Sequence, residues 1–301
     1  MAACSTSKSA NLISGRSHFP TSADCSAPGS VCVALLLDGT ISPSKNNSGA
    51  IAVIHVQNFH KTYRETVAVQ DLSFEVQPGE ILGLVGPNGA GKTSTLRSIA
   101  GIIPPTSGKL VVAGHDIVSD PIAAKRKLAY VPDDPKLFDT LTIWEHMEFV
   151  AAAYRVSDWR ERGESLLQRH DLTGKRNTVA QELSRGMRQK VAICCAYLHD
   201  PQVLMFDEPH VGLDPRGIRQ MKDSILERAK LGTSIVVSSH LLNEVEDMCS
   251  RLLILHKGKC LFFGRMDEAR TTFAGERGDA SLEEIFFHAT EGSEETAGTV
   301  S

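Results

Sequence analysis

The residues with the clearest chemical potential form a glycine-rich loop that ends in a lysine and a hydroxyl. The loop reads Gly86-Pro87-Asn88-Gly89-Ala90-Gly91-Lys92-Thr93 and is followed by Ser94; its spacing is G-x-x-x-x-G-K-[ST]. Glycines let successive backbone N–H groups turn toward one anion. A helix beginning at Lys92 adds the positive end of its dipole. The sequence therefore predicts a nucleotide site in which Lys92 reaches the β- and γ-phosphates and Thr93 binds Mg²⁺.

A pair of carboxylates follows a short apolar run farther along the chain. The run 203–206 is wholly apolar, which is typical of a strand buried on both faces of a parallel sheet. Asp207 and Glu208 come directly after it. An acidic pair after a strand is more often the beginning of a loop, but the phosphate loop upstream favours catalysis. We expect Asp207 to bind Mg²⁺ and Glu208 to act as the general base on the attacking water.

The elements that must position these residues alternate between strands and helices. Apolar periodicity and turn residues predict strands at 52–59, 67–76, 81–85, 109–112, 127–131, 203–206 and 235–237, and helices at 92–100 and 143–154. Ser157 is predicted to cap a further helix that runs to Leu172, and Ser184 to cap another. Short strands that run into loops and helices indicate an α/β fold with a mostly parallel sheet.

Composition excludes several classes of function. The chain has 301 residues with a net charge of −4, so no basic field indicates a nucleic-acid partner. No segment approaches the roughly 18 apolar residues of a membrane-spanning helix, and any membrane role requires a partner chain. The seven cysteines show no Cys-x-x-Cys pair. They are interpreted as reduced thiols in a cytosolic protein.

The two ends of the chain differ in composition from the rest. Residues 1–50 are rich in Ser, Ala, Gly and Asn and carry few charges, as in a disordered leader. A transit peptide and a start assigned too far upstream are the alternative interpretations, whereas a secretory signal is disfavoured because no basic region closely precedes the apolar run 31–37. The tail 291–301 is acidic and rich in small residues, and we expect it to be disordered.

A third motif, between the phosphate loop and the carboxylates, carries a resemblance to a known family. The segment 183–190 reads LSRGMRQK and resembles the L-S-G-G-Q signature of ABC ATPases, with Arg185 and Met187 at the positions of a glycine and a glutamine. Downstream, the segment 211–215 resembles the family's D-loop, and His240 after the apolar run 235–237 resembles its switch histidine. Upstream, Tyr63 matches the position of the family's aromatic A-loop. With it, six motifs in the family's order identify the sequence as a member of the ABC ATPases over about residues 51–290.

This resemblance implies roles for individual residues. Tyr63 is expected to stack on adenine, and His240 to contact the γ-phosphate and hold Glu208 in register with the attacking water. The signature residues Ser184, Arg185, Gly186 and Met187 are expected to cap the ATP of a partner chain, and Asp214 to touch that partner. Two further positions depart from the family: Asp133 stands at the Q-loop glutamine, where it is expected to retain part of the Mg²⁺-binding role, and His210 replaces a threonine.

The same resemblance implies an architecture and a function. The expected fold is a P-loop NTPase core with an antiparallel β subdomain and an inserted α-helical subdomain at about residues 134–185. The expected function is Mg-ATP hydrolysis in a homodimeric or heterodimeric sandwich, peripheral on the inner face of the cell membrane, which powers export by a separate membrane-spanning permease. The segment 281–287 resembles a closing helix of exporters. The alternative is a soluble ABC ATPase that remodels a macromolecule.

Overall fold

A six-stranded sheet carries the candidate functional residues. The structure is a computed structural model that describes residues 54–240 and 245–273. The sheet has the order β10-β9-β3-β8-β7-β6, and the strands β3, β6, β7, β8 and β9 run parallel to their neighbours, while β10 is antiparallel to β9. Its strands are β3 (Ile81–Val85), β6 (Leu128–Val131), β7 (Val203–Asp207), β8 (Ser234–Ser239), β9 (Arg251–His256) and β10 (Lys259–Arg265).

The wholly apolar runs of the sequence form the centre of this sheet. Every residue of β3, β7 and β8 is buried, as expected for parallel strands covered on both faces. Because β7 and β8 are parallel neighbours, Asp207 lies opposite Ser238. The polar residues that end these strands therefore meet at one edge of the sheet.

A second, antiparallel sheet of four strands has the order β2-β1-β4-β5. Its strands are β1 (Ile54–Tyr63), β2 (Thr66–Val76), β4 (Ser107–Val112) and β5 (His115–Asp116). Strand β1 alternates buried and exposed residues at its beginning, since only one face of this sheet packs on the core. Its last residue is Tyr63, so the sheet delivers that side chain toward the helix after the phosphate loop.

The helices pack on the six-stranded sheet. They are α1 (Lys92–Ile99), α2 (Pro121–Arg126), α3 (Ile143–Tyr154), α4 (Trp159–Arg169), α5 (Arg185–Leu198), α6 (Pro215–Lys230) and α7 (Met266–Phe273), with short 3-10 turns at Thr173–Lys175 and Ala180–Glu182. One core cluster joins the antiparallel sheet to α1 and one face of the larger sheet. The other joins α3, α4, α5 and α6 to its opposite face. Helices α3 and α4 fall within the range expected for the helical subdomain.

Two predicted helix caps have different outcomes. Ser184 caps α5 as predicted, and its side chain accepts a hydrogen bond from the Met187 N–H. The prediction for Ser157 is wrong, because α4 begins at Trp159 after Asp158 and ends at Arg169 rather than at Leu172. Asp158 makes no capping hydrogen bond, and its carboxylate instead pairs with Arg162 one turn later.

The predictions for residues 1–50, 281–287 and 291–301 lie outside the described residues. The mixed α/β fold with a mostly parallel sheet and a separate antiparallel sheet agrees with the fold class predicted from the sequence. None of the helices in the described ranges has the length and apolar character needed to cross a bilayer.

Candidate active site

The phosphate loop connects β3 to α1, as its sequence predicts, and two of its glycines are required by close backbone contacts. A Cβ on Gly86 would lie 2.2 Å from the Leu255 carbonyl oxygen. Gly91 has φ +107°, and a Cβ there would lie 2.6 Å from the Ala68 carbonyl oxygen. Any side chain at either position would clash with these backbone atoms. The loop therefore passes close to the backbone of β9 and of β2.

Lys92 is held over the loop by backbone oxygens. Its side chain is 6% exposed, and Nζ donates hydrogen bonds to the carbonyls of Gly86 at 2.7 Å and Pro87 at 3.4 Å. The same Nζ lies 3.4 Å from Glu208 Oε1. The ammonium group is thus positioned before any phosphate arrives, between the loop and the end of β7.

Asp207 is a fully buried carboxylate with hydroxyl partners. Ser238 Oγ donates to Oδ1 at 2.7 Å and the Tyr130 hydroxyl donates to Oδ2 at 3.0 Å, and the nearby Thr93 hydroxyl acts with them to lower the pKa of the carboxyl group. Burial raises the pKa of Asp207 despite these donors, and the nearby negative charge of Asp133 adds to the rise. A cation at this position would offset the desolvation of the charge. Thr93 and Asp207 supply oxygen donors of the kind that Mg²⁺ prefers, so the site fits that ion.

Glu208 lies at the centre of the site in an unusual backbone conformation. Its φ of +48° is in the left-handed region, which is sparsely populated for a residue with a Cβ and is found at functional sites. Its Oε2 lies 2.7 Å from His240 Nδ1, and its Oε1 faces Lys92. The structure therefore brings together the predicted general base, the phosphate-loop lysine and the predicted switch histidine.

Ser238, which connects the two carboxylates, is a site residue that the sequence did not predict. Its Oγ donates to Asp207 and accepts from the Glu208 backbone N–H at 3.1 Å. Tyr130, which also bonds to Asp207, was missed as well. The available signal was that the buried strand at 235–237 is followed by two serines, Ser238 and Ser239, which are both fully buried. Buried polar residues need partners, and Ser238 lies opposite Asp207 in the register of β7 and β8.

Tyr63 lies beside the phosphate-loop helix. Its hydroxyl oxygen is 3.4 Å from Ser94 Oγ, and its ring is 44% exposed. The Lys61 Nζ lies 4.8 Å from the ring centroid. An exposed aromatic face at the end of β1, next to the loop, is suited to stacking on a planar base.

The predicted signature residues contact the Q-loop and D-loop segments of the same chain. A Cβ on Gly186 would lie 2.3 Å from the Gly212 carbonyl oxygen, so this position requires glycine. The Arg185 guanidinium donates to the Asp133 carbonyl oxygen at 3.4 Å. Asp214 caps α6 by accepting from the Gly217 N–H at 3.1 Å. These residues form one surface at the N-terminal ends of α5 and α6.

The chain is similar to several known proteins. The family model described as ABC transporter matches residues 69–211. The ABC-type transporter ATP-binding protein EcsA of Bacillus subtilis (strain 168) is 33% identical over 242 residues, which cover 80% of this chain and 97% of the relative. The linearmycin resistance ATP-binding protein LnrL of the same strain is 30% identical over 226 residues, covering 74% of this chain and 73% of the relative. A solved structure of an ATP-binding subunit of an ABC transporter aligns with a TM-score of 0.75 at 33% identity, covering 79% of this chain and 99% of that chain.

Proposed function

The chain belongs to the ABC transporter family, whose ATP-binding subunits bind and hydrolyse ATP, and from this premise we propose that it works as one half of a nucleotide-sandwich dimer. In this proposal, two ATP-binding chains close head to tail on Mg-ATP. The closure and reopening of the pair power export through a separate membrane-spanning subunit. The ATP-binding chain stands at the inner face of the membrane as a peripheral component.

The nucleotide occupies the surface between Tyr63 and the phosphate loop. Tyr63 stacks on adenine, because its ring is exposed and its hydroxyl lies beside Ser94. Backbone N–H groups of the phosphate loop and of the first turn of α1, together with the Lys92 ammonium, bind the phosphates. Thr93 and Asp207 hold Mg²⁺, with Asp133 as a further oxygen ligand. When bound, the ion neutralises charge on the phosphate oxygens.

The Glu208–His240 contact of 2.7 Å is the observation that carries the hydrolytic part of the proposal. Glu208 accepts a proton from the attacking water. His240 holds the carboxylate through Oε2, while Lys92 faces Oε1 until phosphate draws the ammonium away. The left-handed conformation of Glu208 directs the side chain to this point. A base fixed on both of its oxygens is oriented before the substrate binds.

The surface at the ends of α5 and α6 binds the partner chain and its ATP. Ser184 and the N–H groups of Arg185 and Gly186 stand at a helix N-terminus, which favours an anion, while the Met187 N–H donates to the Ser184 hydroxyl. Because Gly186 packs directly on Gly212, movement of the signature loop is transmitted to the loop that ends at Asp214. The γ-phosphate of the partner's ATP thus contacts a surface formed by the signature loop and the loop that ends at Asp214. Loss of the γ-phosphate on hydrolysis then weakens the dimer.

The membrane-spanning subunit docks on a groove between the sheet and the helices. The groove is open to solvent on one side. Its apolar walls come from α1, β6, α3 and α5, and are formed by Ala100, Ile102, Leu128, Ala129, Tyr130, Val150, Tyr154, Ala192, Cys195 and Ala196. The apolar lining of this groove suits an apolar segment of a membrane partner.

The outward direction of transport has support from one relative. A linearmycin resistance ATP-binding protein is among the proteins that this chain resembles over most of its length. Resistance is consistent with movement of a compound out of the cell. The segment 281–287, which also suggests an exporter, lies outside the described residues.

The test of the dimer is the variant Glu208→Gln. The amide keeps the size of the side chain but does not accept a proton from water, so hydrolysis should fall by about 10²–10⁴-fold. The ATP-bound dimer should then persist long enough to be seen by light scattering with Mg-ATP. Glu148→Gln is the matched control, since Glu148 is exposed and pairs with Arg160 on the surface, and it should hydrolyse ATP and dissociate like the unmodified chain.

A second substitution separates the sandwich from other dimers. Ser184→Arg, added to Glu208→Gln, places a bulky side chain where the partner's γ-phosphate is capped, and the double variant should remain monomeric. If Glu208→Gln stays monomeric with Mg-ATP at high protein concentration, both alone and with its membrane-spanning partner, the sandwich is wrong.

A further inference from the structure

We propose that Glu208, His210 and His240 form a binding site for one transition-metal ion of the Zn²⁺ class, distinct from the Mg²⁺ site at Thr93 and Asp207. The three residues lie at the ends of β7 and β8, where each offers one ligand atom. These atoms all lie within 4.8 Å of one another. Two imidazoles and one carboxylate form a set that binds Zn²⁺ at three positions and leaves a fourth open.

The separations are close to those of a bound ion. Glu208 Oε2 lies 2.7 Å from His240 Nδ1 and 3.7 Å from His210 Nε2. Ligands about 2.1 Å from a tetrahedral Zn²⁺ lie about 3.4 Å apart, a value between these two distances. His240 is 42% exposed, so its ring is free to adjust by rotation. Glu208 and His210 are only 14% and 12% exposed, which fixes two of the three ligands.

The chemistry of the ligands separates this site from the Mg²⁺ site. Mg²⁺ requires hard oxygen ligands and near-octahedral geometry, which the hydroxyl of Thr93 and the carboxylate of Asp207 supply. Imidazole nitrogens favour zinc, copper and nickel instead. Lys92 opposes a second cation because Nζ lies 3.4 Å from Glu208, but it faces Oε1, whereas both histidines face Oε2. The carboxylate can therefore serve the ammonium and the metal with different oxygens.

Metal binding at this site has a consequence for hydrolysis, which rests on the proposed function of Glu208. The lone pair that would accept the proton from water is engaged by the metal. His240 is also taken from its role in holding the carboxylate. Zn²⁺ should therefore inhibit ATP hydrolysis without competing with Mg²⁺ for Thr93 and Asp207. The inhibitory metal site would then include the proposed general base itself.

Binding is tested first on the full chain, free of nucleotide and of any polyhistidine tag. Calorimetric titration with Zn²⁺ should show a site with a stoichiometry of one per chain. Co²⁺ at the same site should give visible absorption without the charge-transfer band of a thiolate, which excludes the cysteines. Changes to residues that only contact a metal ligand already weaken metal binding by about 10–100-fold. Because His210→Gln removes a ligand outright, it should weaken Zn²⁺ binding by at least this factor.

Two further variants make the result interpretable. His240→Ala should lose the site as well, and the exposure of His240 makes this change tolerable to the fold. His115→Gln is the matched control: His115 Nδ1 lies 2.9 Å from Asp120, a histidine–carboxylate pair outside the three-residue group, and its loss should leave the titration unchanged. If His210→Gln and His240→Ala bind Zn²⁺ as the unmodified chain does, the site is wrong.

Hydrolysis is measured second, at a fixed free Zn²⁺ concentration with Mg-ATP in excess. The quantity compared is the ratio of the rates with a chelator and with Zn²⁺, taken within each variant. This ratio should be large for the unmodified chain and for His115→Gln, and near one for His210→Gln. If the binding results hold but saturating Zn²⁺ leaves the rate of the unmodified chain unchanged, the metal site stands and the proposed role of Glu208 is wrong.

Discussion

Replacing Ser238 with alanine removes one hydroxyl that contacts both carboxylates of the site. Ser238 Oγ donates to Asp207 Oδ1 at 2.7 Å and accepts from the Glu208 N–H at 3.1 Å, and both Ser238 and Asp207 are fully buried. A hydrogen bond to a charged group contributes about 1.5–3 kcal/mol. We therefore expect Ser238→Ala to lower the free energy of unfolding by about this amount at neutral pH.

Helix α6 provides a control for this prediction. Ser224 is also buried, but the partners of its hydroxyl are uncharged: Oγ donates to the Met221 carbonyl at 2.7 Å and lies 2.8 Å from the Tyr197 hydroxyl oxygen. Ser224→Ala should therefore lower the free energy of unfolding by about 0.5–1.5 kcal/mol for each hydrogen bond lost, the range for uncharged groups, and its deficit should not change with pH. The free energies of unfolding of both variants are measured by chemical denaturation without nucleotide. A chelator is present, so that no cation compensates for the charge of Asp207.

The pH dependence separates the charged hydrogen bond from a simple loss of packing. Burial raises the pKa of Asp207 above 3.8 in the folded state, so the folded chain holds this proton more tightly than the unfolded chain does. Stability from this group is fully present below pH 3.8 and is lost as the pH rises through the folded pKa. Ser238→Ala raises that pKa further, so its deficit should be largest at neutral pH and should shrink on acidification. An equal deficit for the two alanine variants at every pH would refute the reasoning.

Two other substitutions test the nucleotide site. Lys92→Ala should abolish ATP binding in a titration and lower the free energy of unfolding by about 1–3 kcal/mol, because it leaves buried carbonyls and Glu208 without their cation; unchanged ATP affinity would contradict the assignment. Asp133→Gln should preserve or raise hydrolysis because it removes a negative charge near Asp207, whereas Asp133→Ala should lose stimulation by the membrane-spanning subunit more than basal turnover. Identical basal and stimulated rates in both Asp133 variants and the unmodified chain would show that Asp133 has no part in the site.

The sequence predicts those parts of the site that are encoded locally. The phosphate loop has its own spacing, and the apolar runs before Asp207 and before Ser238 reveal buried strands. The cap at Ser184 is equally local, since the hydroxyl bonds three residues ahead. These features depend on neighbours along the chain, and a pattern of residue types is enough to find them.

The parts that the sequence does not predict depend on pairing between distant strands. Ser238 meets Asp207 only because β8 lies beside β7 in a particular register. Tyr130 reaches Asp207 from β6, 77 positions away in sequence. The wrong cap at Ser157 has a different cause: Ser157 and Asp158 are both good capping residues, and local sequence does not decide between them. Tertiary packing of α4, through the buried Trp159, sets where the helix begins.

Tyr130 lies between the two surfaces that we propose bind the membrane-spanning subunit and the cation. Its ring is part of the wall of the groove between the sheet and the helices, and its hydroxyl bonds to Asp207. A segment that enters the groove and shifts this ring also changes the number of donors on the buried carboxylate. Thermodynamic reciprocity then requires that the groove's occupant alters the affinity of a cation at Asp207 by the same factor by which the cation alters the affinity of the occupant. In this proposal, the phenol group of Tyr130 alone couples the binding of a segment in the groove to the binding of a cation at Asp207.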